Sequence, residues 1–369
     1  MIASTPLLPT VGDGSGLERG RRLRPEELEL ALRNRALPLE ALRYDVTPTG
    51  LHYLLTHYDV PAVDARAWRL VVAGEVGRPR SLSLKELRRR PQRTLRVTLE
   101  CAGDGRALLR PRPLSQPWLN GAVGTAEWTG TPLRLLLEEA GLSEAAREVL
   151  FTGLDRGVEG GLDQQYQRSL ALGEALRDDT LLAWAMNGAP LEPQHGAPLR
   201  LIVPGWYGMA HVKWLRAIEA IAEPFAGYQQ AVAYRYSLSR TEPGEPVTLM
   251  RVRSLMIPPG IPDFLTRTRI VARGRVELRG RAWSGRATIT RVEVSVDGGK
   301  NWGDAEVCQP ASAESWQSWR YLWDADAPGP RELRCRAHDS SGAVQPLQQR
   351  WTARGMGNNM AQRVPVVVV

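Results

Sequence analysis

Thr94-Leu95-Arg96-Val97-Thr98-Leu99-Glu100-Cys101-Ala102-Gly103-Asp104-Gly105-Arg106 is the stretch around which the chain is organised. Its first six residues alternate polar and apolar side chains, the period of a half-buried strand. The strand runs out into a cysteine, two glycines and an arginine. Gly103 and Gly105 permit positive φ and close backbone approach, so Cys101 is expected at a strand-to-loop junction. A cation such as Arg106 beside it favours the thiolate, the form that binds metals and attacks electrophiles. A lone thiol is also a common buried hydrophobe, and the chemistry alone leaves both readings open.

The 369 residues are enough for two or more domains with sizeable cores. With 43% hydrophobic and 24% charged residues, the composition is that of a soluble globular protein. The net charge of +8 comes almost wholly from arginine, since Lys85, Lys213 and Lys300 are the only lysines. Such a bias can reflect base composition of the genome, and neither zinc-finger spacing nor an RNA-recognition signature accompanies it. Nucleic acid is therefore not the expected partner, whereas an anionic cofactor or substrate uses the same charge locally. Cys101, Cys308 and Cys335 make no disulfide framework and are expected to be free thiols. There is no Cys-x-x-Cys-His haem attachment site. Arg21-Arg22 lacks an apolar run behind it, and no stretch reaches membrane-spanning length, so the reading is cytoplasmic, with no membrane partner.

Along the chain, residues 1–24 read as a draped arm and Pro25-Glu26-Glu27-Leu28 opens a helix to about Arg35. Residues 45–61 are turn-rich and hold His52 and His57. Between 66 and 190 strands and helices alternate: a strand over 68–73, a capping box at Ser83 and Glu86, and a helix opened by Thr131-Pro132 and closed by Gly141. Apolar strands follow at 149–153 and 181–186, the second before an Asn187-Gly188 hairpin turn. The layer is mixed α+β. Residues 240–246 read as a linker, and beyond it short alternating strands indicate an all-β sandwich of immunoglobulin size.

The other dense stretch is His195-Gly196-Ala197-Pro198-Leu199-Arg200, continuing through Val203-Pro204-Gly205 to His211-Val212-Lys213-Trp214. Two histidines, an arginine and a lysine converge at a Gly-rich bend with unshielded backbone N–H groups, which suits a phosphate or another anion. A half-exposed strand with solvated cations is the competing reading.

Taken in order, these stretches resemble the sulfite oxidase family of molybdopterin-dependent oxidoreductases, in its bacterial form without a haem domain. Glu100 to Arg106 is similar to the family's Cys-Ala-Gly-Asn-x-Arg, whose cysteine ligates molybdenum, with Asp104 in place of Asn. Thr56-His57 and Val60-Pro61 resemble its Arg-Asn-His-x-Pro-Val-Pro segment beside the pterin. There His57 matches, and Leu55 stands where that segment has arginine. The 195–214 stretch is similar to the segment that holds molybdopterin, and Gly153-Leu154-Asp155 to a Gly-Leu-Asp of the same site. Ala282 to Gly299 resembles the C-terminal dimerisation domain.

With residues 1–44 read as an arm, the resemblance, which runs from about residue 45 to the end, implies a sulfite-oxidase-like molybdopterin domain (45–239) and an immunoglobulin-like dimerisation domain (240–369). Cofactor contacts would come from His57, Cys101, Asp155, His195, Arg200, His211, Val212 and Lys213, with Cys101 on the metal. Catalytic roles would fall to Cys101, Arg106, Trp118, Tyr234 and Arg320. It further implies a homodimer carrying a molybdenum–molybdopterin cofactor and no haem. The enzyme would move an oxygen atom to or from a small oxyanion or sulfur compound. Sulfite oxidation with an external acceptor, a cytochrome or oxygen, leads; reduction of a sulfoxide or another oxo substrate is the enzymatic alternative, and Leu55 makes room for a less charged substrate in either direction. A cofactor-free scaffold is the non-enzymatic alternative, which leaves the 195–213 cations unexplained.

Overall fold

The computed structural model describes residues 23–239 and 241–369. All but the last two residues of the expected draped segment, 1–24, lie outside this range. Helix α1 (Pro25–Arg33) forms as expected, with Pro25 in its first turn. Residues 36–44, also assigned to the arm, are instead packed into the molecule. Leu37, Ala41 and Leu42 are buried, and the Leu37 N–H donates to the Gly121 carbonyl at 2.7 Å.

The first unit continues with β1 (Leu70–Gly74), β2 (Arg80–Leu82), α2 (Leu84–Leu87), β3 (Arg93–Glu100), β4 (Val123–Pro132) and α3 (Leu133–Ala140). After these come β5 (Glu148–Glu159), β6 (Leu162–Ala171), α4 (Leu172–Ala175), β7 (Leu181–Met186), β8 (Ala189–Pro190), β9 (Arg200–Ile202) and β10 (Leu215–Ile221). One sheet runs β2-β1-β10-β5-β6; the other runs β3-β4-β7-β8, with β9 on β7. Leu70, Val72, Leu136, Leu137, Phe151, Trp184 and Ile218 join them in one core. Each such side chain contributes roughly 1.5–3 kcal/mol by leaving water.

Local chemistry sets the boundaries. The Ser83 hydroxyl accepts from the Glu86 N–H and the Glu86 carboxylate accepts from the Ser83 N–H, a closed capping box. Thr131 and Pro132 stay in β4, so α3 starts one residue later than expected, at Leu133, and ends at Gly141 in the left-handed region. Asn187 and Gly188 have φ of 52° and 77°, the two-residue turn that joins β7 to β8.

The expected linker, 240–246, ends in β12 (Glu245–Pro246), which pairs with β11 (Arg235–Tyr236). The second unit holds β13 (Arg253–Met256), β14 (Ile261–Pro262), β15 (Arg269–Val271), β16 (Arg275–Trp283) and β17 (Ile289–Ser295). It closes with β18 (Gly303–Val307), β19 (Gln317–Asp324), β20 (Gly329–Asp339) and β21 (Arg363–Val368). Their order is β13-β16-β19-β18-β17-β20-β21-β15-β14, an immunoglobulin-like β-sandwich around Val292, Val294, Trp319, Leu333 and Val366. Cys335 is buried in that core, Cys308 is exposed, and both are free.

Candidate active site

Strand β3 delivers Cys101 to the loop that the sequence predicted. The Cys101 N–H donates to the Ala122 carbonyl at 2.8 Å, and the Gly103 N–H approaches its Sγ at 3.4 Å. Arg106 folds back over Gly103, where a Cβ would meet the guanidinium at 2.5 Å. Gly105 has φ of 82° and lies against the Asn358 carbonyl, leaving no room for a side chain. The Arg106 guanidinium is spent on neutral acceptors: the Arg354 carbonyl at 3.1 Å, the Gln116 carbonyl at 3.1 Å and the Ser115 hydroxyl at 3.2 Å. Burial pushes the Cys101 thiol up to about 11, against the pull of Arg106 and of the Gly103 N–H. The expectation that Arg106 favours the thiolate is thus outweighed by desolvation. A metal on the sulfur displaces the proton that burial retains.

An inner cleft on one side of Cys101 is lined by His52, Tyr53, Leu55, His57, Asp155, Tyr166, His195, Arg200, Lys213 and Tyr234. The Lys213 ammonium donates to the Leu55 carbonyl at 2.9 Å and the Gln194 carbonyl at 3.0 Å. Burial pulls its pKa down to about 7, with Arg200 adding to the shift. Arg200 lies over the Trp128 ring at 4.6 Å and donates to the His195 carbonyl. Asp155 is pushed up to about 6 by burial, and a Cβ on Gly153 beside it would press on the Lys213 carbonyl at 2.9 Å as well as on the Asp155 carboxylate. His52, His57 and His195 are held neutral by burial, at about 4, 3 and 3. Asp155 Oδ1, His195 Nε2, Arg200 Nε and His52 Nε2 are buried without a partner within the protein. His52 Nε2 lies against Gly124, but Asp155 Oδ1, His195 Nε2 and Arg200 Nε, beside the Lys213 ammonium, are what a polar, anionic group would satisfy.

On the other side of Cys101 an outer cavity of about 380 Å³ opens, lined by Leu55, Tyr58, Arg106, Trp118, Glu159, Tyr228 and Arg354 among others. Cys101, Leu55, His57 and Tyr234 line both spaces. His57 Nε2 and the Tyr234 hydroxyl are 2.7 Å apart, the donor being set by the imidazole tautomer.

Three expected site residues are placed differently. Arg320 lies outside both spaces, exposed on β19 and ion-paired with Glu306 at 2.8 Å. Strand alternation decides this, because burying Trp319 turns its neighbour to solvent. The second unit instead brings Arg354 and Met356 to the outer cavity. The Val212 side chain belongs to the apolar core, not to the cleft. His211 borders the cleft, but its Nδ1 accepts from the Val203 N–H and its Nε2 contacts the Trp206 carbonyl. Both nitrogens brace the 203–211 bend and neither is free for a ligand.

Sequence reasoning passed over Tyr53, Tyr166, Arg168 and Gln194. Tyr166 and Arg168 share one face of a strand that otherwise reads as polar, so only their spacing of two was visible.

Residues 57–229 match the family model described as the oxidoreductase molybdopterin binding domain, and residues 245–369 match the Mo-co oxidoreductase dimerisation domain. The mitochondrial sulfite oxidase of Mus musculus is 35% identical over 88% of this chain, which spans 62% of that relative's length. The sulfite oxidase of Gallus gallus is 36% identical over 84% of this chain and 71% of its own. Among solved structures, the sulfane dehydrogenase SoxCD from Paracoccus pantotrophus superposes with a TM-score of 0.77 at 25% identity, covering 98% of this chain and 94% of that one. An enzyme fold, a cleft built for an anionic cofactor and matches along both units agree: the chain belongs to the sulfite oxidase family of molybdopterin-dependent oxidoreductases.

Proposed function

We propose that the protein transfers an oxygen atom at a sulfur centre, sulfite being the leading substrate, and passes the electrons to an external acceptor such as a cytochrome or oxygen. The observation that carries this reading is Cys101 in the wall between a cation-lined cleft and an open cavity. Among the described residues no three His, Cys, Asp or Glu side chains converge as a metal site, so a metal on Cys101 takes its other ligands from a bound group. The unpartnered Asp155 and His195 atoms and the Lys213 and Arg200 cations fit a molybdopterin. Lys213 and Arg200 would hold its anionic end, and Asp155 and His195 its polar edge. When bound, that cofactor supplies an oxygen-atom exchange centre and a two-electron redox couple.

The chain's own groups then have separable tasks. Arg106 supplies positive potential at the cavity floor and draws an oxyanion toward Cys101. Tyr234 and His57 hold a proton between them at the wall shared by both spaces, where a reacting oxygen would meet it. In net terms sulfite and water give sulfate, two protons and two electrons. The apolar Leu55 and the volume of the outer cavity also favour a larger, less charged sulfur compound, for which reduction of a sulfoxide is the second reading. The dimerisation domain supports a homodimer.

Molybdenum-loaded wild-type protein assayed on sulfite, sulfoxides and nitrate should turn over a sulfur substrate, and Cys101→Ser should lose at least a hundredfold in kcat. Hydroxyl is a poor replacement for soft sulfur on such a metal. Near wild-type turnover by Cys101→Ser would exclude the assignment.

A further inference from the structure

Arg168 is the buried cation that the proposed chemistry leaves unused. It is 3% exposed on β6, and no carboxylate is bonded to it among the described residues. Its Nη1 donates to the Gln229 carbonyl, while its Nε is buried without a partner. The groups it faces electrostatically are two phenols, Tyr166 and Tyr234, and the His57 ring, whose protonation it opposes. An unpaired buried guanidinium is costly, and a fold keeps one where its charge serves something nearby.

Its surroundings say what it serves. The guanidinium carbon lies 5.4 Å from the centre of the Tyr234 ring. Gln229, whose carbonyl it clasps, begins a π-helical turn, Gln229–Ala233, that ends directly before Tyr234. Such turns are rare and concentrate at functional sites. Ser169, next on the strand, accepts from the Gln230 side chain at 2.9 Å and pins the same turn. Tyr166, two residues earlier on the same strand face, packs on His57 with ring centres 4.9 Å apart. One strand face therefore carries both members of the His57–Tyr234 pair.

We propose that Arg168 is a positioning residue for Tyr234, fixing the phenol on His57 through the π-turn and strengthening its O–H as a donor by placing a cation against the ring. A cation on the ring face lowers the cost of negative charge on the phenol oxygen, so the hydroxyl donates better to a reacting oxygen. No proton leaves Tyr234 in this role. The inference rests on the proposed function only in assuming that Tyr234 meets that oxygen.

Arg168→Gln removes the charge and is too short to hold the Gln229 carbonyl, and Arg168→Lys keeps the charge. Both are made in wild-type and Tyr234→Phe backgrounds. In molybdenum-loaded protein on sulfite, Arg168→Gln should lose tenfold or more in kcat with KM within about twofold, and Arg168→Lys should recover much of that loss. Arg168→Gln should cost little further in the Tyr234→Phe background. Amide hydrogen exchange over residues 227–236, measured on the same proteins, should be faster in Arg168→Gln than in wild type. Unchanged kcat in Arg168→Gln, an equal loss in both backgrounds, or loss of molybdenum from both variants overturns the proposal. If wild type turns over no substrate, the proposed function fails, while unchanged exchange over 227–236 would still separately refute the positioning role.

Discussion

Leu55 lines both spaces beside Cys101, and its carbonyl holds Lys213 while its side chain offers no charge. The outer cavity keeps Arg106 and Arg354 as cations, and Glu159 adds a carboxylate held by Gln229 at 2.7 Å. A dianion entering here meets less positive potential than it would with arginine at position 55. Leu55→Arg should therefore lower KM for sulfite by about 1–2 kcal/mol of charge-assisted binding and leave a neutral sulfoxide nearly unaffected. Fully molybdenum-loaded Leu55→Arg with unchanged sulfite KM would contradict that role. At this scale Cys101, Arg106 and His57 were legible through the family motifs that their segments resemble, the residue types alone leaving their roles open. Arg168 and Arg320 were not, since their roles turn on which way a strand side chain points. That is set by neighbours such as Trp319, whose burial leaves Arg320 in solvent.

Two elements, the 45–61 segment and the 195–213 segment, bring most of the neutral histidines to the cleft. His52, buried to 2% exposure, stacks on Tyr53 and stands edge-on to His195. Burial lowers its pKa from 6.5 to about 4. A depressed folded pKa gives stability that is complete above the unfolded value and lost as pH falls through the folded one. His195, His57 and His211 act in the same direction, each near 3. Asp155, raised to about 6, Glu100, raised to about 7, and Asp104, also raised, act oppositely, losing their contributions as pH rises, but the four histidines outnumber them. Cofactor-free protein should accordingly lose stability between pH 6.5 and 4, with His52 alone accounting for roughly 3 kcal/mol. Denaturant midpoints across that range should fall less steeply for His52→Gln; equal slopes would contradict the assignment. The anion-binding character of 195–213 was readable from its residue types, and the Asn187-Gly188 turn from its sequence. The Gln229–Ala233 π-turn was not readable, because it depends on Arg168 and Ser169 from a distant strand.

Across the whole molecule, the loop that carries Cys101 is held by the β-sandwich. Arg253 of β13 reaches Glu100 at 2.8 Å and Asp104 at 3.2 Å, with all three side chains at most 2% exposed. Trp283 donates to the other Glu100 oxygen at 2.9 Å, and the Gly357 N–H to the Ala102 carbonyl at 2.7 Å. These contacts bracket Cys101 on both sides in sequence, so the two units set its position together. Composition and periodicity separated the two units in the sequence, but a pairing across 149 residues or more leaves no local trace. Removing Arg253 leaves two carboxylates buried without a cation, a loss of about 3–5 kcal/mol for a broken buried network. Burial pushes the Glu100 carboxyl up and Arg253 opposes it, so in Arg253→Met that carboxyl rises further. A raised folded pKa gives stability that is lost as pH rises through it, so the deficit of Arg253→Met should grow between pH 5.5 and 8. Adding Glu100→Gln and Asp104→Asn removes both charges and should recover much of the stability. Molybdenum retention should follow the same order, because the loop that carries Cys101 is fixed by these groups. A deficit below about 1 kcal/mol that does not change with pH would mean the units hold together without the triad, and the Gly357 and Trp283 contacts alone would then fix the loop.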